Sequence, residues 1–213
     1  MIYTLDDSSP CIIYLKGKDK RLAKIITEIG PLSFSLHEDG YSFLVHEIIE
    51  QMLSIKAGYK IYSRVLDLCD GEISPSRIAA LSESSLASAG MSRAKAEYIM
   101  LLTEGIMNGS IDLSVLPSLS DSEVHKYLTK LRGIGSWTAK MYLIFVLGRE
   151  NILPFEDGAF IQVYKWLYKT DAADKQSVMA KCKKWSPYSS IAARYFYRAL
   201  DSGMTKEPFH LYK

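Results

Sequence analysis

Gly133 and Gly135 flank one apolar residue in the stretch Leu131-Arg132-Gly133-Ile134-Gly135-Ser136-Trp137-Thr138-Ala139. Glycines in that spacing permit a tight turn that a Cβ would obstruct. They also leave backbone N–H groups exposed where the next helix begins, and such amides bind phosphate through hydrogen bonds and the positive end of the helix dipole. Arg132 and Lys140 stand close enough in sequence to add charge. An ordinary corner between two helices could also use Gly-x-Gly, so the specific signal is the longer pattern Leu-x-Gly-Ile-Gly-x-x-Thr-Ala. A second stretch, Ile152-Leu153-Pro154-Phe155-Glu156-Asp157-Gly158-Ala159-Phe160, puts a carboxylate between a proline-containing loop and a helix. There Asp157 can cap the helix; Glu156 is read as its solvated neighbour. Metal and disulfide chemistry find little support. Cys11, Cys69 and Cys182 are scattered and odd in number, and His37, His46, His125 and His210 lack ligand spacing. The cysteines are read as reduced thiols with packing roles.

The elements that must position these groups are mostly helical. Phe43, Leu44, Ile48, Ile49, Met52, Leu53 and Ala57 fit one long, heavily buried helix. Ile99, Leu102 and Ile106 form a stripe in a helix over 92–107, with Gly109 as a stop. Ser120-Asp121-Ser122-Glu123 is a capping box that starts a helix reaching about Lys130. Met141, Leu143, Ile144, Val146 and Leu147 make an apolar helix after the glycine turn. Later helices are expected over 160–168, 174–185 and 189–201. Short β-like pieces, Cys11–Leu15 and Leu32–Leu36, occur only near the N-terminus, bounded by Pro10, Gly17, Gly30 and Pro31.

Hydrophobic residues at 48% against 23% charged describe a folded soluble chain, not a disordered one. No apolar run approaches the roughly 18 to 20 residues that cross a bilayer, and the first residues lack the basic start and apolar stretch of a signal peptide. A cytoplasmic protein is the expectation. Net charge is only +2, but its distribution is uneven. Between Val124 and Arg149 there are five basic residues and no acidic one, and from Lys165 onward ten basic against four acidic. That asymmetry suggests one face meeting a polyanion, although a solvated face would look similar.

In these motifs the chain resembles the helix-hairpin-helix (HhH-GPD) DNA glycosylases, and within them the alkylpurine, or 3-methyladenine, type. The likeness extends to Asp19-Lys20-Arg21-Leu22-Ala23 through Pro31, Phe43 through Ala57, Ser92-Arg93-Ala94-Lys95, and Trp185-Ser186-Pro187-Tyr188-Ser189-Ser190-Ile191-Ala192-Ala193-Arg194. It implies a mainly α, two-lobed helical fold with a short N-terminal extension containing strands: residues 1–40 as an N-terminal segment packed on a helical body of residues 41–213. That body carries the hairpin (131–136) and a catalytic loop (152–158). Two departures stand out. Arg132 replaces the proline usual before the first glycine, and Ser189 stands where many relatives carry arginine.

The resemblance places the essential carboxylate at Asp157, 22 positions after Gly135. Its implied task is to stabilise positive charge on a deoxyribose as a flipped base leaves, since a base stacked in the duplex is out of reach. Bifunctional relatives place a Schiff-base lysine where this chain has Trp137; an indole cannot form an imine, so hydrolytic excision without strand cleavage is implied. Trp137 either lines the substrate pocket or packs in the core. Gly133, Ile134, Gly135, Ser136, Thr138 and Lys140 are the implied DNA-binding hairpin. Gln51 and Met52 match the region that wedges into the gap left by the flipped base. The backbone carbonyls of Thr129, Leu131 and Ile134 would hold Na+ or K+, no other cofactor is required, and the four cysteines of an iron–sulfur cluster are absent. The expected partner is double-stranded DNA containing a damaged base, met by a monomer that touches no membrane and, in a bacterium, works at the nucleoid. Excision of alkylated purines is the leading reading. The alternatives are excision of uracil, hypoxanthine or an oxidised purine, or a non-catalytic DNA-binding module.

Overall fold

The computed structural model describes residues 2–211, with the backbone alone at position 55. Met1, Tyr212 and Lys213, within the expected segments 1–40 and 41–213, lie outside the described residues. Among the described residues the chain is 63% helical with a single two-stranded sheet, a mainly α fold. In chain order the elements are β1 (Ile2–Leu5), α1 (Pro10–Lys18), α2 (Lys20–Ile29), β2 (Leu32–Ser35), α3 (Gly40–Glu50) and α4 (Ile55–Leu68). Then come α5 (Pro75–Ala79), α6 (Glu83–Ser88), α7 (Arg93–Met107), α8 (Asp121–Leu128), α9 (Ser136–Phe145), α10 (Gly158–Tyr168), α11 (Lys175–Cys182) and α12 (Ser189–Asp201). No helix among the described residues is long and apolar enough to cross a membrane.

Short polar side chains decide where most helices begin, because the first amides of a helix have no partner within it. Asp19, Asp39, Ser54, Ser82, Ser92, Ser120, Asp157 and Asp174 each accept a first-turn amide from the N-cap position. Ser120 and Glu123 form the reciprocal capping box. The ends of α7 and α12 fall where the hydrophobic spacing put them.

Two local expectations are corrected. Cys11–Leu15 is helical: Pro10 sits at the first helical position, where its fixed φ is already right, and Cys11, Ile12 and Leu15 form one buried stripe. The partner of β2 is β1 instead, paired antiparallel with Ile2 opposite Ser35 and Leu5 opposite Leu32. The single helix expected over 43–57 is two helices. The chain leaves α3 at Gln51, passes through a left-handed Met52 (φ 58°), and is capped anew by Ser54. Phe43, Leu44, Ile48 and Ile49 are buried, whereas Met52 is 101% exposed. Apolar spacing alone could not separate a core residue from one presented to solvent.

The chain divides into two compact units, and the division falls elsewhere than at 40/41. One unit joins the residues up to Leu36 with those from Gly148 on; the other is His37–Leu147. The N-terminal segment belongs with the C-terminal helices because α2 packs on α12 and α10. Trp185, Tyr195, Phe160 and Phe196 are the largest side chains fully buried there. In the unit 37–147, α3 packs on α4, α7 and α9, while α8 packs on α9.

Candidate active site

The glycine turn lies between α8 and α9, in the unit 37–147. Gly133 adopts φ 83°, a conformation other residues rarely take, and a Cβ there would come within 2.5 Å of the Tyr98 ring. Gly135 differs: its backbone is extended (φ −92°), it is the N-cap of α9, and nothing lies within 4 Å of where its Cβ would be. Nothing inside the described protein therefore demands a glycine at 135. What its hydrogen side chain does is leave the first turn of α9 without a capping group of its own, with clear space beside it.

Around this turn the predicted residues do come together. Ile134 and Thr138 are both buried, anchoring the turn and the first turn of α9 in the core. Gln51 Nε2 donates to the Gly133 carbonyl at 2.8 Å and, at 3.5 Å, to Thr138 Oγ1. The Gln51–Met52 turn is thus bonded to the glycine turn through one amide side chain. Ser136 Oγ lies 3.0 Å from His125 Nε2. Trp137 is half-buried in the first turn of α9, and Lys140 is half-buried one turn later. The extra charge expected of Arg132 is partly offset, since its guanidinium pairs with Glu97 at 2.7 Å and lies 5.7 Å from the centre of the Tyr98 ring.

Backbone oxygen atoms are hard donors of the kind Na+ and K+ accept, and the turn offers those of Thr129, Leu131 and Ile134. The Leu131 carbonyl accepts the Ile134 amide at 3.1 Å, which uses one of its two lone pairs.

Asp157 belongs to the other unit, as the N-cap of α10. Its Oδ1 accepts the Phe160 amide at 2.7 Å, and its own amide donates to the Pro154 carbonyl at 3.0 Å. It is only 8% exposed, while Glu156 beside it is exposed. Phe160 is fully buried, with its ring 5.1 Å from Phe196 and 6.2 Å from Trp185. The carboxylate is therefore bonded to a helix start that an aromatic core immobilises.

The loop ahead of it is held just as firmly. The Ser190 amide donates to the Glu150 carbonyl at 2.8 Å, and Ser190 Oγ accepts the Ile152 amide at 2.9 Å. Ser189 Oγ donates to Asn151 Oδ1 at 2.9 Å. Serine at 189 thus has its own use, tying the start of α12 to the loop that carries Asp157.

Residues of α7 and α12 were missed in the sequence. Lys95, Glu97 and Tyr98 of α7 lie under the glycine turn and the Met52 turn, and Ser190 of α12 holds the Asp157 loop. The sequence places them on the helices expected over 92–107 and 189–201 but marks none of them for a role at the site. No local signal distinguishes a lysine that bonds a distant carbonyl from one in solvent.

Set beside known proteins, residues 45–187 match the pattern of the HhH-GPD superfamily base excision DNA repair proteins. The chain belongs to that superfamily. It is 32% identical over 188 residues to the putative DNA-3-methyladenine glycosylase YfjP of Bacillus subtilis, covering 84% of this chain and 66% of that one, so it spans about two thirds of that relative. The crystal structure of a DNA-3-methyladenine glycosidase from Bacillus halodurans superposes with a TM-score of 0.82 at 31% identity, over 97% of this chain and 96% of that chain. A Schizosaccharomyces pombe 3-methyladenine DNA glycosylase in complex with abasic DNA shares the fold, with a TM-score of 0.81 at 24% identity over 91% of this chain and 97% of that one.

Proposed function

We propose that the protein is a monofunctional DNA glycosylase of base excision repair, which flips alkylated purines such as 3-methyladenine out of double-stranded DNA and removes them by hydrolysis. The observation that carries the reading is Asp157, a carboxylate largely withdrawn from water and held by its loop and by Phe160. Relatives named as 3-methyladenine glycosylases over nearly the whole chain support the substrate class.

In the reaction the C1′–N bond breaks and its electron pair leaves with the base. Positive charge builds on C1′ and the ring oxygen, where a fixed carboxylate stabilises it more than mobile water could. Water supplies the new C1′–O bond and gives up a proton. Methylation at N3 of adenine or N7 of guanine makes the attached base cationic, so it leaves as a neutral molecule and needs only modest help. Trp137 provides no amine, so the sugar stays in the strand as an intact abasic site.

The hairpin backbone from Gly133 to Thr138, through amides other than that of Ile134, would hold a backbone phosphate, assisted by Lys140 and a monovalent cation on the Thr129, Leu131 and Ile134 carbonyls. Met52 would enter the stack beside the flipped nucleotide, with Gln51 next to it. The protein would work as a monomer wherever the DNA is, in the cytoplasm at the nucleoid if the cell is bacterial.

Single-turnover rates on 3-methyladenine, 7-methylguanine, uracil and 8-oxoguanine in one duplex context test the assignment. Release of the two methylated purines should be fastest. Faster release of uracil or 8-oxoguanine than of both would overturn the alkylpurine reading, and no release of any base would overturn the glycosylase reading.

A further inference from the structure

The turn that presents Met52 is held in place by one cation from another helix. Lys95, on the first turn of α7, directs its ammonium at the end of α3 and donates to two carbonyls, Ile49 O at 2.8 Å and Gln51 O at 2.5 Å. The last carbonyls of a helix have no partner within it and carry the negative end of its dipole, so a cation is well matched to them. Lys95 is half-buried, and burial lowers its pKa from the ordinary lysine value. The two carbonyls it bridges bracket the change from α3 to the non-helical Gln51 (φ −47°, ψ 129°), immediately before Met52 enters its left-handed conformation.

The same helix also lies beneath the glycine turn. Glu97 pairs with Arg132, and the Tyr98 ring fills the space in which a Gly133 side chain would stand. The Gln51 side chain then links the two turns directly through the Gly133 carbonyl. The first two turns of α7 are thus a common base for the residue proposed to enter the stack and for the amides proposed to grip phosphate.

We propose that Lys95 is a positioning residue for DNA distortion: by bridging the Ile49 and Gln51 carbonyls it holds Met52 in register with the glycine turn, so that gripping the backbone and parting the stack occur as one event. It touches no substrate atom and acts through Met52 and Gln51. The inference rests on the glycosylase reading for its link to excision, but its effect on DNA can be read without excision.

The test compares wild type, Lys95→Met and Lys95→Arg in two assays. In the first, 2-aminopurine is placed opposite a non-cleavable abasic analogue, and its fluorescence reports unstacking on binding. Wild type should raise the signal, Lys95→Met should bind the duplex within about threefold of wild type yet leave the signal low, and Lys95→Arg should restore it. In the second, single-turnover release of 7-methylguanine is measured in a fully paired duplex and in one whose opposite strand is gapped at the lesion. Lys95→Met should lose about tenfold or more on the paired duplex and less than about threefold on the gapped one, where little stacking remains to be broken. Equal losses on both duplexes, or a fluorescence rise equal to wild type, would overturn the proposal. A wild type that raises fluorescence but releases no base would sink the glycosylase reading alone. A thermal melt of each variant separates these results from loss of fold, and Lys95→Arg keeps the proposal testable if Lys95→Met melts below the assay temperature.

Discussion

Asp157 carries two demands on one side chain, and they can be separated. Asparagine is as good an N-cap as aspartate, so Asp157→Asn should keep the bond to the Phe160 amide and with it the start of α10. It cannot offset a growing positive charge. Excision should fall by at least about 100-fold, the scale of removing one preorganised electrostatic group, while the melting temperature and affinity for lesion DNA stay near wild type. A single-turnover rate within tenfold of wild type would remove Asp157 from the chemistry. Trp137 supports a second expectation at this scale. Borohydride treatment during turnover should trap no covalent enzyme–DNA complex, and product strands should stay whole until alkali or heat is applied.

Among the elements, the glycine turn is the most exposed to a single change. Gly133→Ala asks an L side chain to adopt φ 83° and to displace the Tyr98 ring, which a Cβ would meet at 2.5 Å. The left-handed conformation alone costs about 1–2 kcal/mol, and the ring must move besides. Because the turn would bind backbone and not bases, affinity should fall alike for damaged and undamaged duplexes of any sequence. Fluorescence anisotropy across several duplexes would check this, and a loss confined to one lesion would contradict it. The break between α3 and α4 is also a matter of elements. Ser54 starts a new helix, Lys95 draws off the carbonyls of the old one, and the residue between them is turned out to solvent.

For the molecule as a whole, the N-terminal segment is fastened to the C-terminal helices by Asp19. This carboxylate is 3% exposed, caps α2, and accepts from the Tyr168 hydroxyl, from Trp185 Nε1 at 3.1 Å and from Lys184 Nζ at 2.9 Å. Burial, the largest single influence, pushes its pKa up, but the bonds from Tyr168, Lys184 and Trp185 together outweigh it and leave the carboxyl below its ordinary value. A depressed carboxylate stabilises the fold above its unfolded pKa of about 3.9 and loses that contribution as pH falls through the folded value. Asp19→Asn should therefore cost about 2 kcal/mol at neutral pH, in line with charged hydrogen bonds. The gap from wild type should close as pH falls below about 4. Denaturant melts at several pH values would show this, and a gap independent of pH would mean the charge has no part in it.

Periodicity and capping made much of the fold legible from the chain alone. Ser92 and Ser120 announce α7 and α8 through interactions within four residues, and in the stripe of Ile99, Leu102 and Ile106 the first two are buried, as the spacing required, and the third is half-buried. Gly133 and Asp157 could be found because a left-handed turn and a helix cap leave local traces in residue type. Other features depended on partners far along the chain. Cys11–Leu15 has the composition of a strand, yet it is helical and packs on α2 and on residues 183–185. Met52 has the spacing of one more apolar residue on a buried stripe, yet α3 ends at Glu50, and Lys95, 43 positions from Met52, bonds the carbonyls around that end. Nothing local marks Asp19 as a junction, since Tyr168, Lys184 and Trp185 all reach it from beyond residue 165. Residue type and short-range spacing govern a cap or a tight turn because the interacting groups are neighbours in the chain. Which carbonyl an ammonium meets, or whether an apolar residue is covered, depends on which elements the collapsed chain brings side by side.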